Sequence, residues 1–111
     1  LIKISELDMG YRAAGATANM LTDSLKFAQA QEMSVFYQQI VKAYFDIVPA
    51  AQRYGITHWS PLDSPKSSSW RAQEPIGLWT DKYYRKPAYG GFADGLAGKA
   101  VTTTTRRIFF D

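Results

Sequence analysis

Two short segments with the residue pattern of β-strands, separated by about fifty residues, constrain the fold of this chain more than any other feature. In Leu1–Leu7, apolar and polar residues alternate, so that Ile2, Ile4 and Glu6 share one face. The residues of Gly55–Trp59 include β-branched and aromatic types, which are common in strands. A connection of this length can bring two strands side by side in parallel, which a short hairpin cannot do.

The connection itself has the spacing of an amphipathic helix. Apolar residues recur at intervals of three and four over 27–48, and Thr22 or Asp23 is the predicted cap at the start. Pro49 either ends this helix or begins a short second turn, and Gly55 is the predicted stop. A second helix is predicted over Lys86–Leu96.

The predicted order is therefore strand, helix, strand, loop, helix. This order favours an α/β protein with a parallel sheet, and such units make up the end of a βα barrel. A complete barrel of this type has about 250 residues, whereas this chain has 111. Because Leu1 leads directly into a strand without a starting Met, we expect the chain to be a segment of a longer protein.

Composition excludes several classes of function. Thirteen Lys and Arg residues against ten Asp and Glu give a charge of +3, but they are scattered, so no nucleic-acid partner is predicted. No apolar run approaches the ~20 residues that span a bilayer. Cysteine is absent, and a single histidine cannot build a zinc site. We therefore predict no membrane span, no metal and no cofactor.

Glu6 is the residue with the clearest candidate chemistry. It lies at the carboxyl end of the first predicted strand, the end from which catalytic groups project in βα barrels. A carboxylate there can attack an anomeric carbon through an oxocarbenium-like transition state. The local pattern also allows the commoner alternative, a carboxylate that only binds the backbone or a neighbouring arginine.

Two tryptophans form a candidate sugar-binding site. Trp59 ends the second strand, and Trp70 follows a loop rich in Ser and Pro at 60–69. Flat aromatic faces pack against the C–H faces of sugars, so the pair could hold one sugar ring between them. The alternative is two apolar plugs beneath the loop. His58, the only histidine, is expected to pack or to hydrogen-bond beside the strand.

Five segments, in the same order along the chain, resemble the end of glycoside hydrolase family 10. Ile4–Asp8 resembles that family's strand-seven signature, (I/V)-T-E-L-D, with Ser5 in place of Thr. Ile56–Asp63 resembles the strand-eight segment ending W-G-x-x-D, with Ser60 in place of Gly. The other three segments, with the family patterns that they resemble, are Ser69–Arg71 (S-W-R), Leu78–Asp81 (L-L-F-D) and Tyr84–Tyr89 (Y-x-x-K-P-A-Y).

The resemblance implies the C-terminal portion of a TIM (β/α)8 barrel, namely strands seven and eight with their helices. Residues 1–98 would belong to the catalytic barrel, and 99–111 would form a C-terminal tail. It also implies a retaining endo-β-1,4-xylanase that hydrolyses xylan or xylooligosaccharides without a cofactor. Glu6 would be its nucleophile, and Trp59, Trp70 and Arg71 would bind the substrate.

The family's acid/base glutamate lies on strand four, in a W-D-V-x-N-E-like segment that has no counterpart in these residues. Asp8 is too near Glu6 along the chain to replace it, and we expect Asp8 to join the loop network of the barrel. The chain alone is therefore predicted to be inactive, with the remaining N-terminal part of the barrel as its partner. The resemblance further implies a secreted, periplasmic or cell-surface protein.

Two other functions remain open at this stage. A non-catalytic carbohydrate-binding fragment would keep both tryptophans and use Glu6 only as a hydrogen-bond acceptor. A different TIM-barrel glycosidase, acting on glucan or mannan, would share the glutamate at the strand end.

Overall fold

The computed structural model describes residues 1–101. Two strands and two α-helices alternate along the chain: β1 (Ile2–Leu7), α1 (Phe27–Ile47), β2 (Arg53–His58) and α2 (Pro87–Leu96). Short 3-10 turns at Thr22–Ser24 and Ala50–Gln52 flank α1. Most of the predicted tail, residues 102–111, lies outside the described residues.

Strands β1 and β2 pair in parallel, which confirms the prediction from the length of their connection. Ile4 lies opposite Ile56 and Leu7 opposite His58, with an irregularity in register between these pairs. Because the strands are parallel, their carboxyl ends lie at the same edge of the sheet, and so do the loops that follow them.

Helix α1 begins later than the predicted cap. Thr22 and Asp23 belong to the separate 3-10 turn, and the chain is extended between that turn and the helix, so the predicted cap is wrong. The amide of Lys26 instead donates to Gln29 Oε1 at 2.9 Å. This bond satisfies one of the backbone donors that every helix start leaves without a partner.

The predicted helix stop at Gly55 is also wrong, because Gly55 lies inside β2 with φ +140°. The helix ends at Ile47, and Pro49 leads into the short turn at Ala50–Gln52. This confirms one of the two alternatives predicted for Pro49, the start of a short second turn. The hydroxyl of Tyr44 accepts hydrogen bonds from the amides of Tyr54 and Gly55, each at 3.0 Å. The start of β2 is thereby fastened to α1.

The core lies between the sheet and the helices, and its buried apolar members are Leu7, Tyr37, Val41, Leu78 and Ala88. The two helices approach each other closely at Gly91, where a β-carbon would collide with the backbone of Ser34. This close packing holds α2 against α1 and anchors the far end of the long loop that connects β2 to α2.

Helix α2 confirms the second predicted helix, except that Lys86 is its cap and Pro87 its first residue. Gly98 adopts φ +72°, a conformation that suits glycine, and its amide donates to the carbonyl of Gly95. Over residues 1–101, neither helix combines the length and apolar character that crossing a bilayer requires.

Candidate active site

Glu6 and Trp59 lie at the same edge of the two-stranded sheet. Glu6 is the penultimate residue of β1, and it is exposed. Trp59 directly follows β2, and its amide donates to the carbonyl of Leu7 at 3.0 Å. This backbone bond continues the pairing of the strands by one residue and fixes the start of the following loop beside the Glu6 strand end.

The two predicted sugar-binding tryptophans contact each other. Their ring centroids are 6.1 Å apart with an interplanar angle of 73°, an edge-to-face pair. A sugar between two parallel rings needs a separation of about 7–8 Å, twice an ordinary van der Waals contact. The idea that Trp59 and Trp70 hold a sugar between them is therefore wrong for this geometry. Each residue is about half exposed, so both indole rings remain accessible to a ligand.

Arg71 lies between two carboxylates. Its Nη1 donates to Asp8 Oδ1 at 2.8 Å, while Nε and Nη2 lie 3.0 and 2.9 Å from Glu74 Oε1. Burial opposes the charge on Arg71, but the two carboxylates outweigh it and raise the pKa of the guanidinium. The ion pair with Arg71 confirms that Asp8 joins the loop network, and it links the Glu6 strand end to the Trp70 loop.

Glu74 and Asn19 extend this network, and sequence reasoning missed both. Asn19 Nδ2 donates to Glu74 Oε1 at 3.0 Å, and Arg12 Nε donates to Asn19 Oδ1 at 2.9 Å. Burial disfavours the charged form of Glu74, but the hydrogen bonds outweigh burial and hold its pKa below the usual value. The backbone of Arg71 and Gln73 has φ of +48° and +62°, an unusual turn that no sequence signal announced.

His58 forms hydrogen bonds beside the strand, as the sequence predicted. The amide of Ser60 donates to His58 Nδ1 at 3.3 Å, so the ring proton lies on Nε2, 3.0 Å from Tyr37 Oη. The Tyr37 hydroxyl in turn donates to the carbonyl of Ile76. Burial lowers the pKa of His58 and raises that of Tyr37, so both side chains are neutral near pH 7.

A buried ion pair lies beneath the loop that carries Trp70. Lys86 Nζ donates to Asp63 Oδ1 at 2.6 Å and to the carbonyls of Pro75 and Gly77 at 3.0 and 2.8 Å. Asp63 also accepts from the amide of Gly77 and from the hydroxyl of Thr22, at 2.9 and 2.5 Å. All three ammonium protons are used, and loop segments distant in sequence are joined at one point.

A pocket of about 380 Å³ lies beside the start of α1, lined by residues that include Met9, Met33 and Phe36 but neither tryptophan. Its rim carries a hydrogen bond from the Tyr11 hydroxyl to Glu32 at 2.6 Å. Within the described part of the chain, no cluster of three His, Cys, Asp or Glu side chains could hold a metal ion.

The family model for glycosyl hydrolase family 10 matches residues 1–95. Two xylanases of Cellvibrio japonicus are similar in sequence. Endo-beta-1,4-xylanase Xyn10C is 36% identical over 118 residues, covering 94% of this chain and 19% of the relative. Endo-1,4-beta-xylanase A is 33% identical over 108 residues, covering 88% and 17%. The chain thus spans less than a fifth of either relative.

Solved structures of the same group superpose on the chain. Native xylanase10C from Cellvibrio japonicus matches with a TM-score of 0.76 and 31% identity, covering 95% of this chain and 24% of that one. A variant of xylanase10C in complex with xylopentaose matches with a TM-score of 0.75, again at 31% identity, covering 95% and 23%.

Proposed function

The chain belongs to glycosyl hydrolase family 10, and from that membership we propose that it supplies strands seven and eight, with their helices, to a TIM (β/α)8 barrel. In this proposal residues 1–98 belong to the catalytic barrel, of which they are the C-terminal portion, and 99–111 form a tail. The parallel pairing of β1 and β2 supports this placement. So does the position of Glu6 and Trp59, since catalytic groups of such barrels lie at the carboxyl ends of the strands.

The proposed activity is that of a retaining endo-β-1,4-xylanase. The Glu6 carboxylate attacks the anomeric carbon of a xylose unit as a second carboxyl group protonates the departing oxygen, and a covalent glycosyl ester forms. Water then hydrolyses this ester, with the second group acting as base. The observation that carries the proposal is an exposed glutamate, at the carboxyl end of a parallel strand, in a chain of this family.

The second carboxyl group is proposed to come from the remaining N-terminal part of the barrel. Retaining hydrolysis requires two carboxyl groups about 5–5.5 Å apart across the scissile bond. Asp8, the acidic residue nearest to Glu6 in sequence, is engaged by Arg71 at 2.8 Å and so is poorly suited to donate a proton.

Trp59, Trp70 and Arg71 form the substrate-binding side of the proposed site, and xylan or a xylooligosaccharide is the proposed substrate. Each half-exposed indole ring offers its own flat face for the C–H face of a sugar. The complex of xylanase10C with xylopentaose, a structure that resembles this chain, supports the choice of substrate class.

The open sheet supports the rest of the barrel as the partner. Leu1 is 84% exposed and Ile2 is 45% exposed, both at the start of β1. A two-stranded sheet also leaves unpaired backbone groups along its outer edges, which a neighbouring strand would satisfy. Packing against strands one and six of the same barrel would cover both features.

We also propose that the enzyme acts outside the cytoplasm, as a secreted, periplasmic or surface-attached protein. Its proposed substrate is an insoluble or high-molecular-weight polysaccharide, so the enzyme must reach the polymer outside the cytoplasm. Fractionation of the producing cells, with an antibody to this chain, tests this part of the proposal.

The activity is tested with a chimeric barrel, in which this chain replaces the matching segment of Cellvibrio japonicus Xyn10C. We expect the chimeric barrel to hydrolyse xylohexaose and the 111-residue chain alone to show no turnover. Turnover by the isolated chain would contradict the proposed source of the acid/base residue. A folded chimeric barrel that binds xylohexaose without cleaving it would favour the carbohydrate-binding alternative, and preferential cleavage of glucan or mannan would favour the other glycosidase.

A further inference from the structure

The Trp70 indole has two side-chain neighbours, Trp59 and Arg71. The backbone of Trp70 is already fixed, since its carbonyl accepts from the hydroxyls of Ser64 and Ser68 at 2.9 and 2.7 Å. The centroid of the indole ring lies 6.1 Å from that of Trp59 and 5.4 Å from the Arg71 guanidinium. A cation over an aromatic face is attracted by the negative charge density of the ring.

The guanidinium is in turn held by groups from two other segments. Asp8 follows the Glu6 strand end, and Glu74 lies in the same turn as Arg71. Gly10 passes directly against the cluster: a β-carbon there would lie 2.5 Å from Arg71 Nη2 and 2.8 Å from Glu74 Oε1. The side chain of Arg71 is only 24% exposed, so its orientation is restricted on several sides.

The backbone at Arg71 is unusual. Arg71 has φ +48°, in the left-handed region that residues with a β-carbon seldom adopt. With this backbone, the Arg71 side chain pairs with Asp8 while the Trp70 ring contacts that of Trp59. A planar fork with several donors can bind two carboxylates and stack on a ring at once, whereas a lysine ammonium cannot.

We propose that Arg71 is a positioning residue that connects the nucleophile strand to the sugar-binding surface, by holding the Trp70 indole against Trp59 while anchored to Asp8 and Glu74. It contributes to substrate binding through Trp70 and not through a contact of its own with the sugar. This inference rests on the proposed sugar-binding role of Trp70 and assigns Arg71 its part in that role.

A double-mutant cycle in the chimeric barrel tests the inference. We expect Arg71→Lys to lower kcat/KM for xylohexaose about tenfold when Trp70 is present, and less than about twofold in a Trp70→Ala background. Glu74→Gln, which leaves Arg71 and Trp70 intact, is expected to reproduce part of the loss. Additive losses in Arg71→Lys and Trp70→Ala would overturn the inference, and so would an unchanged kcat/KM in Glu74→Gln. A direct contact between Arg71 and the sugar predicts both results.

Arg53→Lys is the matched control. Arg53 also stacks on an aromatic ring, that of Phe45 at 5.4 Å, and donates to two carbonyls, but it lies at the opposite end of β2. It is expected to leave the kinetics unchanged.

A spectroscopic measurement on the full 111-residue chain separates this inference from the proposed function. The near-UV circular dichroism band that Trp70→Ala removes should also be lost in Arg71→Lys and kept in Arg53→Lys. A band unchanged in Arg71→Lys would refute the positioning role even if the chimeric barrel is active. If Arg71→Lys loses the band while the chimeric barrel proves inactive, the positioning role is supported and only the xylanase proposal is refuted.

Discussion

At the scale of single residues, His58 shows how a side chain beside the site is kept uncharged. Its two ring nitrogens have different partners, the amide of Ser60 and the hydroxyl of Tyr37, which fix one tautomer. Protonation would turn Nδ1 into a donor facing the Ser60 N–H. The contact would then be repulsive, at the residue that immediately precedes Trp59.

Burial lowers the pKa of His58 below 6.5, its ordinary value. The unfolded chain takes up this proton first as the pH falls, so the stability due to His58 is complete above pH 6.5 and is lost below it. NMR titration of the full chain measures this directly, because it contains one histidine. We expect a midpoint below 6.5, and a midpoint at or above that value would contradict the account.

At the scale of elements, the long loop between β2 and α2 is the part of the structure on which the site depends. It lacks helices and strands of its own and is held by backbone hydrogen bonds such as that from the amide of Asp63 to the carbonyl of Trp79 at 2.9 Å. It also contains the buried Lys86–Asp63 ion pair, whose side chains are 6% and 0% exposed. Breaking a buried pair leaves one charge without compensation, which costs far more than losing a surface pair.

Lys86→Met is therefore expected to destabilise the chain by about 3–5 kcal/mol. The double variant Lys86→Met/Asp63→Asn should lose less than Lys86→Met alone, because it removes the uncompensated carboxylate and keeps an acceptor for Gly77. Urea unfolding provides the free energies. Lys42→Met is the control, since Lys42 pairs with Asp46 on the surface of α1 and should cost only about 0.3–0.5 kcal/mol. Equal losses for Lys86→Met and Lys42→Met would show that the buried pair does not support the loop.

The same loop marks the limit of what the sequence predicts. Apolar spacing predicted the first helix, an early proline the second, and the length of the connection the parallel strands, because these features depend on local patterns and on one length. The cap at Thr22 or Asp23 failed because Thr22 instead bonds to Asp63, a contact across 41 positions. The ion pairs of Arg71 with Asp8 and Glu74 involve left-handed backbone at non-glycine residues. The contact of Trp59 with Trp70 depends on the path that the loop takes between them. Neither property is encoded in a short motif.

At the scale of the whole molecule, the described residues form a pair of strands packed against two helices. The loops at the carboxyl ends of the strands form one edge, called here the loop edge, and the sheet itself is open. The loop edge carries Glu6, Trp59, Trp70 and the Arg71 cluster, and it is internally bonded. The sheet, by contrast, exposes apolar residues at the start of β1 and on β2, such as Ile2 and Tyr54. This asymmetry agrees with the proposal that the rest of a barrel covers the sheet while the loop edge faces substrate.

Covalent labelling of the chimeric barrel with a mechanism-based 2-fluoroxylobioside, followed by peptide mapping, tests the central claim most directly. The account predicts one 2-fluoroxylobiosyl group esterified to Glu6 with loss of the aglycone, and both labelling and turnover lost in a folded Glu6→Ala variant. A label on any other residue, or full turnover by Glu6→Ala, would contradict the assignment of Glu6 as the nucleophile.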